Sequence, residues 1–187
     1  VAAVQKNIRI CGFGGQGVIL AGAIIGKASA VYDGLECVQT QSYGPEARGG
    51  ASRTEVIIAD HRIGYPRLTH CDTMMALSQE AFDTYNKDLT DDAVIIIDPG
   101  MVKKFELDRK NRKFYKVEGM KIANALGKKI VFNIIMVGAL TAIAKVSSKE
   151  NILKAVLDSV PPKTIDLNKK AFELGYEAGI NALANPS

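Results

Sequence analysis

Gly12-Phe13-Gly14-Gly15-Gln16-Gly17 satisfies the spacing G-x-G-x-x-G. It lies between a strand-forming run, Ile8–Cys11, and a helix-forming run, Val18–Tyr32. Glycines so spaced let backbone N–H groups approach a phosphate at a helix N-terminus, where the dipole favours negative charge. The same residues would also serve a tight turn with close helix–strand packing, and the motif alone does not separate the two uses. A dinucleotide enzyme further needs an acid at the end of the second strand to hold the ribose. Here that strand ends near Thr40, Gln41 and Ser42, with Glu36 at its start, which argues against NAD.

The segment Gln41–Ser52 is more specific. It joins chain-bending glycines and a proline to Tyr43, Glu46 and Arg48, directly after a strand. Loops at the C-terminal ends of strands line the ligand crevice of an open parallel sheet. Arg48 would there meet a phosphate, a carboxylate or another subunit, with a solvated surface loop as the alternative. Gly12, Gly14, Gly15, Gln16, Gly17, Tyr43, Arg48 and Ser52 are the candidate binding residues.

Other chemistry is poorly supplied. Cys11, Cys37 and Cys71 are far apart, no CxxC pair exists, and His61 and His70 are the only histidines. Iron–sulfur ligation by four cysteines of this chain is excluded by count, and a disulfide framework is not expected. His70-Cys71-Asp72 lacks metal-ligand spacing. No serine sits in a nucleophile-elbow context, so no catalytic residue is assigned.

The 187 residues suit one domain, and 47% hydrophobic with 24% charged residues is a globular composition. A net charge of +4 is too small to argue for nucleic acid or a membrane surface. The longest apolar stretch, Ile130–Ala144, is shorter than the ~20 residues of a membrane span and reads as a buried helix. Val1–Asn7 has no signal-peptide pattern, so a cytoplasmic protein is expected.

Around the glycine turn the chain reads as a βαβ unit, with the second strand at Glu36–Thr40. Arg53–Ala59, Thr73–Ser78 and Ala93–Asp98 are continuous apolar runs of the kind buried on both faces of a parallel sheet. Gln79–Tyr85, Met120–Leu126, Phe132–Ile143, Lys149–Leu157 and Leu167–Leu183 read as helices, basic Lys103–Lys116 as a solvated hairpin, and the alternating piece Lys113–Glu118 as an exposed strand. The expected fold is α/β: a doubly wound, mostly parallel sheet with a Rossmann-like first βαβ unit and a helical C-terminal part.

Five stretches resemble one known family: GFGGQGVILAG at Gly12–Gly22, QSYGPEARGGASRTEVIIA at Gln41–Ala59, IIDPGMV at Ile96–Val102, NIIMVGAL at Asn133–Leu140 and LNKKAFELGYEAG at Leu167–Gly179. The chain is similar over nearly its whole length to the gamma subunit of 2-oxoacid:ferredoxin oxidoreductases. Ala47 and the Gly49-Gly50 pair, where pyruvate-type relatives carry a second arginine and a single glycine, favour the 2-oxoglutarate branch. The resemblance implies a single gamma-type domain over residues 1–187, inactive alone, in a complex with alpha, beta and delta subunits and, through them, ferredoxin. That complex would convert 2-oxoglutarate and coenzyme A into succinyl-CoA and CO2. It implies no cofactor in this chain, with thiamine diphosphate and iron–sulfur clusters on the partner subunits and coenzyme A near the glycine turn. A free-standing nucleotide-binding oxidoreductase and a purely structural interaction subunit are the competing readings.

Overall fold

A computed structural model describes residues 4–43, 50–105 and 111–185. Six strands, β1 (Gln5–Phe13), β2 (Glu36–Tyr43), β3 (Ala51–Ala59), β4 (Cys71–Ala76), β5 (Leu89–Ile97) and β6 (Lys113–Lys116), form one sheet in the order β2-β3-β1-β4-β5-β6. The pairs β1–β4, β4–β5 and β5–β6 are parallel, while β3 runs antiparallel to both β1 and β2. Five strands therefore share one direction, and β3 is the single reversed one. The opening β1–α1–β2 unit keeps its parallel sense, with β3 inserted between its two strands.

Helix α1 (Val18–Lys27) lies over β3, close enough that a Cβ on Gly22 would fall 2.6 Å from Thr54 Oγ1. A π-helical turn, Ala28–Tyr32, follows it. On the same face lie α3 (Gly119–Ala125), α4 (Phe132–Ala144), α5 (Lys149–Leu157) and α6 (Ile165–Ala184). Ile8, Ile10, Val56, Ile58, Met75 and Ile96 form one core there with residues of α1 and α4. On the other face α2 (Gln79–Tyr85) brings Phe82 to Cys11, Met74, Ile95 and Ile97. Alternation of side chains along each strand supplies both cores, which is why these runs are apolar at consecutive positions.

Helix α4 is the centre of the helical layer, with every residue from Phe132 to Ile143 buried. It meets α6 at three glycines. A Cβ on Gly175 would lie 1.9 Å from Ile135 O, on Gly138 2.3 Å from Phe172 O, and on Gly179 2.8 Å from Ala139 O. Only glycine allows backbones this close. Lys145, at φ 48°, ends α4, and the Lys6 ammonium from β1 donates to the carbonyls of Ala144 and Lys145.

Two expectations change. The strand expected at Lys113–Glu118 is present as Lys113–Lys116, but it is a parallel edge strand and no solvated hairpin, and its Phe114 and Tyr115 enter the cores on opposite faces of the sheet. The strands reach into Gln41–Ser52 from both ends, because β2 continues through Tyr43 and β3 begins at Ala51, while residues 44–49 lie outside the described residues. Glycine and proline crowd the middle of that segment, whereas its ends retain enough β-forming side chains to pair.

Candidate functional site

The glycine turn leaves the C-terminal end of β1 at the edge where β2 also ends. Register puts Gly12 opposite Ser52, and Ser52 opposite Tyr43. The Ser52 hydroxyl donates to Gly12 O at 3.2 Å, and Gly14 N–H donates to Gly50 O at 3.2 Å. Gln16 closes the turn on itself. Its Oε1 accepts from Phe13 N–H at 2.6 Å, and its Nε2 donates to Leu77 O at 3.1 Å, just past β4.

The glycines divide by what surrounds them. A Cβ on Gly12 would sit 2.5 Å from Gln16 Oε1 and 3.0 Å from both Leu77 Cβ and Val18 Cγ2, so Gly12 serves packing. Gly17 caps α1 in the left-handed region, φ 75°, and a Cβ there would lie 2.2 Å from Asn133 Nδ2. Gly15 differs: its φ is 96°, and a Cβ built on it meets no atom within 4 Å. Gly14 and Gly15 are exposed while their neighbours are tied down.

Two helices begin at this turn. Val18 opens α1, and Asn133, in the first turn of α4, is buried with Nδ2 directed at Gly17 O at 3.4 Å. Neither helix carries an acid in its first turn. The start of α1 gives the turn a positive dipole end, although the Gly14 and Gln16 N–H groups are already taken by Gly50 O and Phe13 O.

Of the residues singled out in the sequence, Gly12, Gly14, Gly15, Gln16, Gly17 and Ser52 are brought together. The Gln16 amide, the Ser52 hydroxyl and the Gly14 N–H are already bonded within the protein, which leaves the exposed backbone of Gly15 as the accessible part. Tyr43 joins them through the backbone register of β2, whereas Arg48 lies outside the described residues.

Asp98 holds the next strand end. Its carboxylate accepts from Gly100 N–H at 2.7 Å and Met120 N–H at 2.6 Å, fixing the turn after β5 to the start of α3, and burial raises its pKa above the usual carboxylate range. The Asp-Pro-Gly sequence marked a turn but not this clamp. Asn133 was legible only as a helix opener, because its partner is 116 residues away.

His70 and Asp72 belong to the opposite end of the strands. Asn7 bonds His70 Nε2 at 2.9 Å and donates its own N–H to Asp72 at 2.7 Å. Cys71 donates to Thr73 O, and burial pushes its thiol pKa up to about 12. Among the described residues no three His, Cys, Asp or Glu gather as a metal site, and no helix is long and apolar enough to cross a membrane.

Residues 7–178 match the pyruvate ferredoxin/flavodoxin oxidoreductase family. The chain belongs to that family. Among its curated relatives, the 2-oxoglutarate synthase subunit KorC of Methanocaldococcus jannaschii is 47% identical over 93% of this chain and 94% of the relative. The crystal structure of a keto/oxoacid ferredoxin oxidoreductase gamma subunit from Geobacter sulfurreducens superposes with a TM-score of 0.86 at 43% identity, covering 96% of this chain and 98% of that one. The fold also occurs inside a longer chain: a 2-oxoglutarate:ferredoxin oxidoreductase from Magnetococcus marinus, with 2-oxoglutarate, coenzyme A and succinyl-CoA bound, gives a TM-score of 0.83 at 23% identity. This chain covers 94% of itself there and 31% of that protein. The same α/β fold thus occurs both as a separate chain and as part of a larger polypeptide.

Proposed function

We propose that this chain is the gamma subunit of a 2-oxoglutarate:ferredoxin oxidoreductase of the 2-oxoglutarate synthase type. The observation that carries the reading is end-to-end similarity: near-half identity to a KorC subunit, with both chains covered almost completely. In this reading it works in the cytoplasm with alpha, beta and delta subunits. Thiamine diphosphate and iron–sulfur clusters on those partners supply the carbon–carbon cleavage and the electron transfer to ferredoxin. The overall reaction breaks the bond between C1 and C2 of 2-oxoglutarate, releases CO2, and joins the succinyl carbon to the coenzyme A sulfur.

The part assigned to this chain is coenzyme A placement. A phosphate of coenzyme A lies against Gly14 and Gly15, at the joint N-terminal end of α1 and α4, with Gly12, Gln16, Gly17 and Ser52 holding the backbone in place. Tyr43 and Arg48 follow from β2 and contact the rest of the ligand or the facing subunit. Open space at Gly15 and two acid-free helix starts support this placement.

Reconstitution tests the assignment. The four subunits, purified separately and mixed, should reduce ferredoxin with 2-oxoglutarate and coenzyme A, and omission of this chain should abolish or strongly impair turnover. Full activity without it, or activity on pyruvate in preference to 2-oxoglutarate, would overturn the reading.

A further inference from the structure

A second anion-seeking feature lies on the sheet face opposite α1. Loop residues Arg67 and Leu68, between β3 and β4, lean over the β2–β3 pair and close a cavity of about 420 Å³. Its floor is Thr40 and Ser42 of β2 with Arg53 and Glu55 of β3, and Gln41 lies at its side. Register sets Thr40 opposite Glu55 and Ser42 opposite Arg53, so the four side chains share one face.

The charges do not cancel within this cavity. Glu55 is buried and is neutralised from below by buried Arg9, whose Nε donates to Glu55 Oε1 at 2.8 Å. Arg9 is held there by Tyr85 O at 2.8 Å and Lys87 O at 2.7 Å. Arg53 is 3.6 Å from the same Glu55 oxygen, and its guanidinium stacks 5.0 Å from the Tyr85 ring centre. With Arg9 offsetting Glu55, Arg53 and Arg67 remain as two positive charges in excess. Arg67 is exposed and has no ion-pair or hydrogen-bond partner among the described residues.

We infer that this cavity binds the phosphate group of a small phosphorylated molecule, with Arg53 and Arg67 as the cationic pair and the Thr40 and Ser42 hydroxyls as further donors. Two guanidinium forks match a dianionic phosphoryl group in charge and in bidentate geometry. The cavity is larger than an aspartate or glutamate side chain would fill and lies within the ~300–1,000 Å³ range of small-ligand sites. This favours a small molecule over an acidic segment of a partner protein. The site is separate in face from the glycine turn, so it stands or falls independently of the coenzyme A placement.

Titrating the full chain with inorganic pyrophosphate by calorimetry, at about 150 mM salt to suppress long-range attraction, tests it. Wild type should give saturable binding, and Arg67→Gln should weaken it about tenfold, the loss of one charge-assisted contact. Lys121→Gln removes the same charge from α3, far from the cavity, and should leave affinity unchanged. Thermal melting of Arg67→Gln should match wild type, because Arg67 has no partner to lose. Absence of saturable binding, undiminished affinity in Arg67→Gln, or loss in Gly15→Val with retention in Arg67→Gln would each overturn the proposal. So would a hexaglutamate peptide that binds more tightly than pyrophosphate and depends on Arg67, since that result assigns the cavity to an acidic protein partner.

Discussion

The glycine turn at Gly12–Gly17 and the glycine seam between α4 and α6 use the same residue for opposite ends. At Gly175 and Gly138 the missing side chain is replaced by another backbone, with hypothetical Cβ contacts of 1.9 and 2.3 Å to carbonyl oxygens. At Gly15 it is replaced by open space and a positive φ. A seam glycine therefore concerns stability alone, since neither backbone can yield. An open-turn glycine concerns the shape that exposed N–H groups present. Gly12 and Gly17 lie between these extremes, filled by side chains that are able to shift.

The comparison predicts a gradient of effects. Gly175→Ala should be the most damaging, costing about 3 kcal/mol by overpacking and lowering Tm by roughly 6–12 °C for a chain of this size. Equal losses in Gly175→Ala and Gly15→Ala would break the distinction. Gly17→Ala should cost about 1–2 kcal/mol from its left-handed backbone. Its clash with Asn133 should couple the two sites, so that Asn133→Ala recovers about 0.5–1 kcal/mol in a double-mutant cycle. No coupling would mean that Asn133 does not hold the turn.

Gly15→Ala should cost about 1 kcal/mol for its backbone conformation while raising the coenzyme A KM of the reconstituted complex several-fold with kcat largely preserved. An unchanged KM would make the turn purely structural. The smallest signal comes from the thiols. Burial raises the pKa of Cys37 to about 11, of Cys71 to about 12, and of Cys11, one residue before Gly12, further still. Native chain at pH 8 should label far more slowly with a thiol reagent than unfolded chain, and Gly15→Ala should not expose Cys11. Because the unfolded thiols ionise first, near their ordinary value of about 9, the stability these protonated thiols contribute is complete below pH 9 and declines as pH rises through 11 to 12. A stability curve flat across that interval would contradict the burial of Cys11 and Cys71 and the half-burial of Cys37.

Most of the architecture was legible because it rests on apolar content. Val56–Ile58, Met74–Leu77 and Val94–Ile97 must be covered on both sides, and the helices announce themselves by length and punctuation. Strand direction was not legible: nothing in Arg53–Ala59 says that β3 runs against its neighbours, since an apolar run reads alike either way. Phe114 and Tyr115 were masked by the lysines around them. The turn itself was plain, but its internal division was not, because the environment of Gly15 against that of Gly12 and Gly17 depends on Leu77 and Asn133 from distant elements. Arg53 and Arg67 went unremarked, since only the fold brings them to one cavity.

The complete burial of α4 has a consequence for the order in which the molecule is made. Every strand leaves the ribosome before Phe132 does, so the β4 part of the sheet face under the helical layer, at Met75, waits for α4, while α1 already lies over β1 and β3. During that interval the waiting part is a sticky surface, the condition under which nascent chains aggregate or engage chaperones. A fragment ending at residue 131 should accordingly bind a hydrophobic dye strongly, where the full chain does not. Maturation of this chain is thus tied to the arrival of a helix from its last third.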